Sequence, residues 1–168
     1  MNLAQALSDA MACFCALARS ESVGECWDRD SALEGLSVGA VVSHVCIQTG
    51  WSETVVTRPG PVDHPVVTAG IWFADVRPGP GYDPDVHQGV VQQSVQLATR
   101  GHQSVTDKLD RVTGRLRDRL TGAELDRLVG LEPVDQHAVT LRDFVRTRIV
   151  EFVVHADDLA ASVGVAEA

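Results

Sequence analysis

No stretch of the chain approaches the roughly 18 consecutive apolar residues that a membrane-spanning helix needs. Positive charge is also scarce: 14 Lys and Arg stand against 23 Asp and Glu, a formal net charge of -9. Such a balance cannot neutralise a phosphate backbone, so nucleic acid is not an expected partner. An anionic membrane surface is disfavoured on the same ground, and the acidic balance needs no partner beyond water to explain it. The four cysteines, Cys13, Cys15, Cys26 and Cys46, match neither a zinc ribbon nor a C-x-x-C redox pair. They read as small buried hydrophobes in a reducing compartment. The opening "MNLAQALSDAMACFCALARS" lacks a basic n-region and carries Asp9, so an amphipathic first helix is expected there rather than a secretory signal. A cytoplasmic protein is the expectation. Internal repeats, low-complexity tracts and a second domain are all missing, so residues 1–168 are expected to form one domain.

What is present is a 45% hydrophobic chain of near-zero mean hydropathy, as in soluble globular proteins. Its periodicity predicts four helical segments. The first runs from about Leu3 to Ala18. The second opens at Ser37, a good N-cap, and runs to about Ser52. The third begins after Pro84, reaches about Leu120 and is open to a break near Gly101. The fourth spans about Leu141 to Val163 and is closed by Gly164. Between the second and third lies an irregular stretch, Thr57 to Asp85, holding six of the seven prolines. Within it "VVTAGIWFADV" reads equally as a short strand or a helical turn, and Trp72 and Phe73 suggest a packed lid over one end of the domain. A second connection, Thr121 to Thr140, contains a candidate short helix at "GAELDRLV". The fold class expected is all-α, an antiparallel four-helix bundle with a long loop between its second and third helices.

The fourth segment, "RTRIVEFVVHADDLAASVG", carries an anomaly. Ile149, Val150, Phe152, Val153, Val154 and Leu159 supply enough apolar surface to bury it on nearly every side, yet Glu151 and His155 stand in its middle. At 100° per residue these two point the same way as Leu141, Phe144, Val145, Arg148, Ile149, Phe152 and Leu159. Arg142, Arg146 and Asp157 fall on the opposite, solvent side. The second segment repeats the anomaly: His44 and Gln48 lie beside Trp51 within the face made by Val38, Val41, Val42 and Val45. Charged groups are almost never buried unless they are paired or bind a metal. Two histidines and one glutamate form a catalytic zinc set with a position left open to water or substrate. The bland alternative is a set of hydrogen-bonded core side chains or an ordinary i,i+4 pair. Spacing alone leaves both open.

"ALEGLSVGAVVSHV", followed about a hundred residues later by "TLRDFVRTRIVEFVVHADDLAASVG", resembles the metal-binding bundle at the N-terminus of mycothiol-dependent maleylpyruvate isomerases, a branch of the wider DinB-like superfamily. The shared signature is R-x-x-E-x-x-x-H-x-x-D-L paired with an upstream inward histidine. The resemblance implies that His44, Glu151 and His155 are metal ligands, for Zn²⁺ or another divalent metal. It implies that Arg148 and Asp158 are catalytic residues beside those ligands. Arg148, one turn before Glu151, is placed to pair with that carboxylate, and Asp158, one turn after His155, to orient it. Capping of the helix end is the bland alternative for Asp158, although the dipole near a helix C-terminus disfavours an anion there and so favours another role. The isomerase of that family carries a further C-terminal domain, whereas this chain is expected to be the bundle alone.

The function expected from the resemblance is transfer or isomerisation of a small electrophilic molecule, with mycothiol, an actinobacterial thiol, activated on the metal. The Ala-, Val-, Arg- and Gly-rich usage fits a GC-rich source. The alternatives are a hydrolase whose metal activates water, and a non-catalytic bundle that holds a structural metal or a small molecule. Only three ligands are identifiable, and a structural zinc site needs four. The expected partners are a small-molecule substrate and a low-molecular-weight thiol, without nucleic acid or membrane; a homodimer stays open. His64 is expected to be exposed in the Pro-rich loop. His87, His102 and His137 lack an acidic or imidazole partner at ligand spacing, and "RVTGRLRDRL" reads as a solvated face.

Overall fold

A computed structural model of the chain describes residues 2–58, 60, 63–75, 84–131 and 137–164, the side chains of 73–75 and 84–87 excepted. Helix α1 spans Leu3–Ala18, and the Asn2 side chain accepts from the Ala4 amide at 3.0 Å to start it. Its buried residues Leu7, Met11, Phe14 and Ala18 recur every three or four positions, so one stripe faces the core. Helix α2, Glu21–Glu25, is a single capped turn that the periodicity did not announce. Helix α3, Val38–Thr57, starts where Ser37 accepts from the Ala40 amide at 3.2 Å. It runs five residues past the expected Ser52, because Val55 and Val56 continue its buried face. Arg58 then turns extended, as a residue preceding proline must.

The undecided "VVTAGIWFADV" is helical over α4, Ala69–Asp75, and Trp72 there is buried. Phe73 and most of the Pro-rich stretch lie outside the described side chains. Pro84 opens α5, Pro84–Ala98, at the one helical position where a missing amide proton is harmless. Gly101, at φ 82°, then breaks the chain before α6, His102–Leu120. The third segment is therefore two helices, and the described residues form five long helices instead of four. Helix α7, Leu141–Val163, is capped by the Thr140 hydroxyl and closed by Gly164 in the left-handed conformation, as the sequence indicated.

Three further expectations are corrected. "GAELDRLV" is not a helix; its end forms β1, Leu128–Gly130, paired antiparallel with β2, Ala138–Thr140. Val129 and Val139 face each other across this ribbon and are fully buried, and β-branched residues favour such a strand pair. Val150, Val153 and Val154 are exposed by 48%, 55% and 50%, so α7 buries one face and leaves an apolar stripe to solvent. Of the cysteines only Cys46 is buried; Cys15 and Cys26 are half-buried and Cys13 is exposed. The "RVTGRLRDRL" arginines are exposed as expected.

Helix α3 packs against α5, α6 and α7, while α1 packs against α7 and α6. The Phe14 and Phe152 rings meet edge to face at 5.9 Å between α1 and α7. Among the described residues no helix is long and apolar enough to cross a membrane.

Trp27 fixes how α3 enters this core. Its ring lies flat on Gly39, and its indole N–H donates to the Ala98 carbonyl at 3.0 Å. A Cβ added at Gly39 would sit 2.5 Å from the ring, whereas one at Gly50 in the same helix meets nothing within 4 Å. Gly39→Ala should lower the unfolding free energy by roughly 1–3 kcal/mol. Gly50→Ala should leave it unchanged or raise it by up to about 1 kcal/mol. Urea unfolding of the two variants checks the contrast, and equal shifts would contradict this packing.

Candidate metal centre

The register of two helices brings the polar groups together. On α3, the buried valines at 38, 41, 42 and 45 turn His44 towards α7, and on α7 Phe144, Arg148 and Phe152 turn Glu151 and His155 towards α3. His44 Nε2 donates to Glu151 Oε1 at 3.1 Å, and His155 Nε2 lies 3.3 Å from the same oxygen. The two imidazole rings stand nearly perpendicular with centroids 5.0 Å apart. One ligand atom from each of the three residues falls within 4.8 Å of the others, the single such cluster among the described residues. Ligands about 2.0–2.1 Å from a tetrahedral ion sit about 3.3 Å from one another. The two nitrogen–oxygen separations, 3.1 and 3.3 Å, match that spacing, and two imidazole nitrogens with one carboxylate oxygen suit zinc.

The three side chains are 15–20% exposed, so the cluster is roofed by the helices yet reachable from outside. Burial alone would push the Glu151 carboxyl up. The hydrogen bonds from His155 and His44 and the charge of Arg148 outweigh it and hold the group well below the usual carboxylate range. Burial likewise pulls the His155 imidazole down, but Glu151 and then Asp158 override this and raise it above its ordinary value. Asp158 Oδ2 accepts from His155 Nδ1 at 3.0 Å. That bond keeps a proton on Nδ1 and leaves Nε2 as the nitrogen able to take a metal.

Arg148 lies deeper, and burial lowers its pKa against the opposing charge of Glu151. Its Nη2 stands 4.0 Å from Glu151 Oε2, a long ion pair, and its Nε donates to Thr147 Oγ1 at 3.1 Å. Trp51, Trp72 and Phe144 surround the guanidinium at 5.5, 5.6 and 5.3 Å from their ring centroids. All five residues singled out in the sequence are therefore neighbours. The aromatic cage was missed. Phe144, four residues before Arg148 on the same helix, was a readable signal; Trp72 comes from a loop whose fold the sequence does not reveal.

The remaining candidates behave as a solvated or structural set. His102 Nε2 pairs with the Ala18 carbonyl at 2.7 Å and its ring leans on Trp27. His64 is half-buried, contrary to its expected exposure. The His87 side chain lies outside the described residues. Burial pushes the Cys15 thiol up to about 11 and raises that of Cys46, so neither is a ready thiolate. A cavity of about 620 Å³ opens at the start of α6, lined by Arg100, His102 and Asp107 among others and by no residue of the cluster.

The family described as "Mycothiol maleylpyruvate isomerase N-terminal domain" matches residues 5–160. Curated proteins give no match. Among solved structures, "Crystal structure of the mycothiol-dependent maleylpyruvate isomerase" superposes with a TM-score of 0.60 at 15% identity, covering 96% of this chain and 62% of that one. A variant of that enzyme with one histidine changed to alanine superposes with a TM-score of 0.62 at 14% identity and the same coverage. At such identity the likeness shows the fold alone. This chain thus spans 62% of the length of the structures it resembles.

If the cluster binds one divalent ion, His44→Ala, Glu151→Ala and His155→Ala should each reduce metal content from about one per chain to near zero. Cys13→Ser, Cys15→Ser, Cys26→Ser and Cys46→Ser should leave it unchanged. The raised His155 pKa means that its proton is held to higher pH than on an ordinary imidazole, and a metal must displace it. Apparent affinity should therefore climb between pH 6 and pH 8, with proton release in calorimetry. Metal lost on the cysteine changes and kept on the histidine changes would reverse the assignment.

Proposed function

The chain belongs to the mycothiol maleylpyruvate isomerase N-terminal domain family, and from that premise we propose that it is a metal- and thiol-dependent transferase or isomerase acting on a small electrophilic molecule. The observation that carries this reading is the gathering of His44, Glu151 and His155 at the α3–α7 seam, with ligand atoms within 4.8 Å of one another and both Nε2 atoms 3.1–3.3 Å from Glu151 Oε1. With three protein ligands a tetrahedral site retains one position for a reactant. In this reading His44, Glu151 and His155 hold zinc or another divalent metal. When bound, the metal supplies the Lewis acidity that lowers the pKa of an incoming thiol.

The other residues serve the ligands. Asp158 keeps the His155 proton on Nδ1 and so fixes the ring with Nε2 inward. Arg148 stands beside Glu151 Oε2, the oxygen not shared by the histidines, and its charge keeps the carboxylate ionised. The partial exposure of all three ligand side chains leaves a path for a thiol and for its departing proton. Mycothiol is the proposed thiol because the matching family and both superposed enzymes are named for it.

Cobalt substitution provides the test. Mycothiol added to the Co²⁺-loaded protein should produce a sulfur-to-cobalt charge-transfer band and release a proton. Asp158→Asn should weaken metal binding about 10–100-fold while leaving the fold intact. Absence of the band in fully loaded protein, with the metal spectrum otherwise normal, would turn the reading towards water activation or simple ligand binding.

A further inference from the structure

The Arg148 guanidinium is a buried cation without a full set of hydrogen-bond partners among the described residues. It offers five N–H donors. Nε donates one to Thr147, Nη2 stands 4.0 Å from Glu151, and Nη1 is buried with no hydrogen-bond partner among the described residues. The three rings around it present π faces, which attract the charge but accept no conventional hydrogen bond in the guanidinium plane. Removing a cation from water and leaving donors unmet is costly, so a purely structural residue here would serve better as an apolar one.

The walls of this cage differ. Trp51 and Phe144 stand on the long helices α3 and α7. Trp72 comes from α4, only seven residues long, whose Ile71 is 52% exposed. The cover over Arg148 therefore rests on the short element. We propose that Arg148 is the receptor for a carboxylate of the ligand, engaged when α4 draws Trp72 aside. The planar fork of a guanidinium matches the two oxygens of a carboxylate. Residues three apart on a helix lie about 5–6 Å from one another, which would set such a carboxylate about one turn from Glu151. A small acid anchored at Arg148 would thus present its neighbouring carbons to the metal cluster. The assignment of this anion as substrate rests on the proposed function; the binding event does not.

The experiment is a titration with acetate at constant ionic strength, followed by the fluorescence of Trp51 and Trp72. Zinc-loaded protein should show saturable binding. Arg148→Met, which replaces a buried charge by an apolar chain of similar length and should fold, should weaken it about 10-fold or more. Arg148→Lys, which retains the charge without the fork, should fall between the two. Trp72→Ala should tighten binding several-fold, with Trp51 as the reporter, because the cover is gone. An affinity indifferent to Arg148→Met, or unimproved by Trp72→Ala, overturns the proposal. The same titration in His155→Ala separates the two readings. Binding that still depends on Arg148 there supports this site, whereas binding that vanishes with the metal assigns the acetate to the metal instead. Failure of the wild-type chain to take up metal, with Arg148-dependent binding intact, would sink the proposed function alone.

Discussion

One carboxylate oxygen, Oε1 of Glu151, sits between His44 Nε2 at 3.1 Å and His155 Nε2 at 3.3 Å, at the seam of α3 and α7. An acid in that position cannot go unpartnered, because burial opposes its charge. The two imidazoles and the nearby guanidinium reverse that penalty and keep it ionised. Each partner is then constrained in turn: His155 by Asp158, Arg148 by its three aromatic rings. The register of α7 on α3 follows from these requirements as much as from the valines and phenylalanines around them. Repacking the seam by one residue would separate the groups by 100° on the helix and strand them in the core.

The local structure is organised to hold that register. Ser37 and Thr140 define the starts of α3 and α7 through side-chain caps, and Trp27 on Gly39 sets how closely α3 approaches the rest. Capping and packing act far from the cluster, yet they decide where its ligand atoms converge. The cluster is nonetheless left 15–20% open, and a roof that admits solvent on one side suits a site that must receive a reactant.

The faces of His44, Glu151, His155 and Arg148 were legible because these residues lie on long helices, where a 3.6-residue period assigns each a face, whereas Asp158 was singled out by the resemblance alone. The break at Gly101 was legible too, since glycine interrupts a helix for conformational reasons. The short elements were not. Seven residues of α4 and three of β1 carry too little period to separate helix from strand, and their structure is imposed by contacts with distant parts of the chain. The cage over Arg148 was hidden for that reason: one of its walls, Trp72, belongs to α4. Apolar composition also misled. Val150, Val153 and Val154 suggested a helix buried on nearly every side, but all three are about half exposed on α7.

The central claim is that this chain binds a metal through imidazole and carboxylate, with no help from its cysteines. X-ray absorption at the zinc edge of the loaded protein, before any thiol is added, tests it most directly. The expected first shell contains only nitrogen and oxygen at about 2.0–2.1 Å, with the outer-shell scattering of two imidazoles. A sulfur shell at about 2.3 Å, or a spectrum without imidazole scattering, would contradict the account.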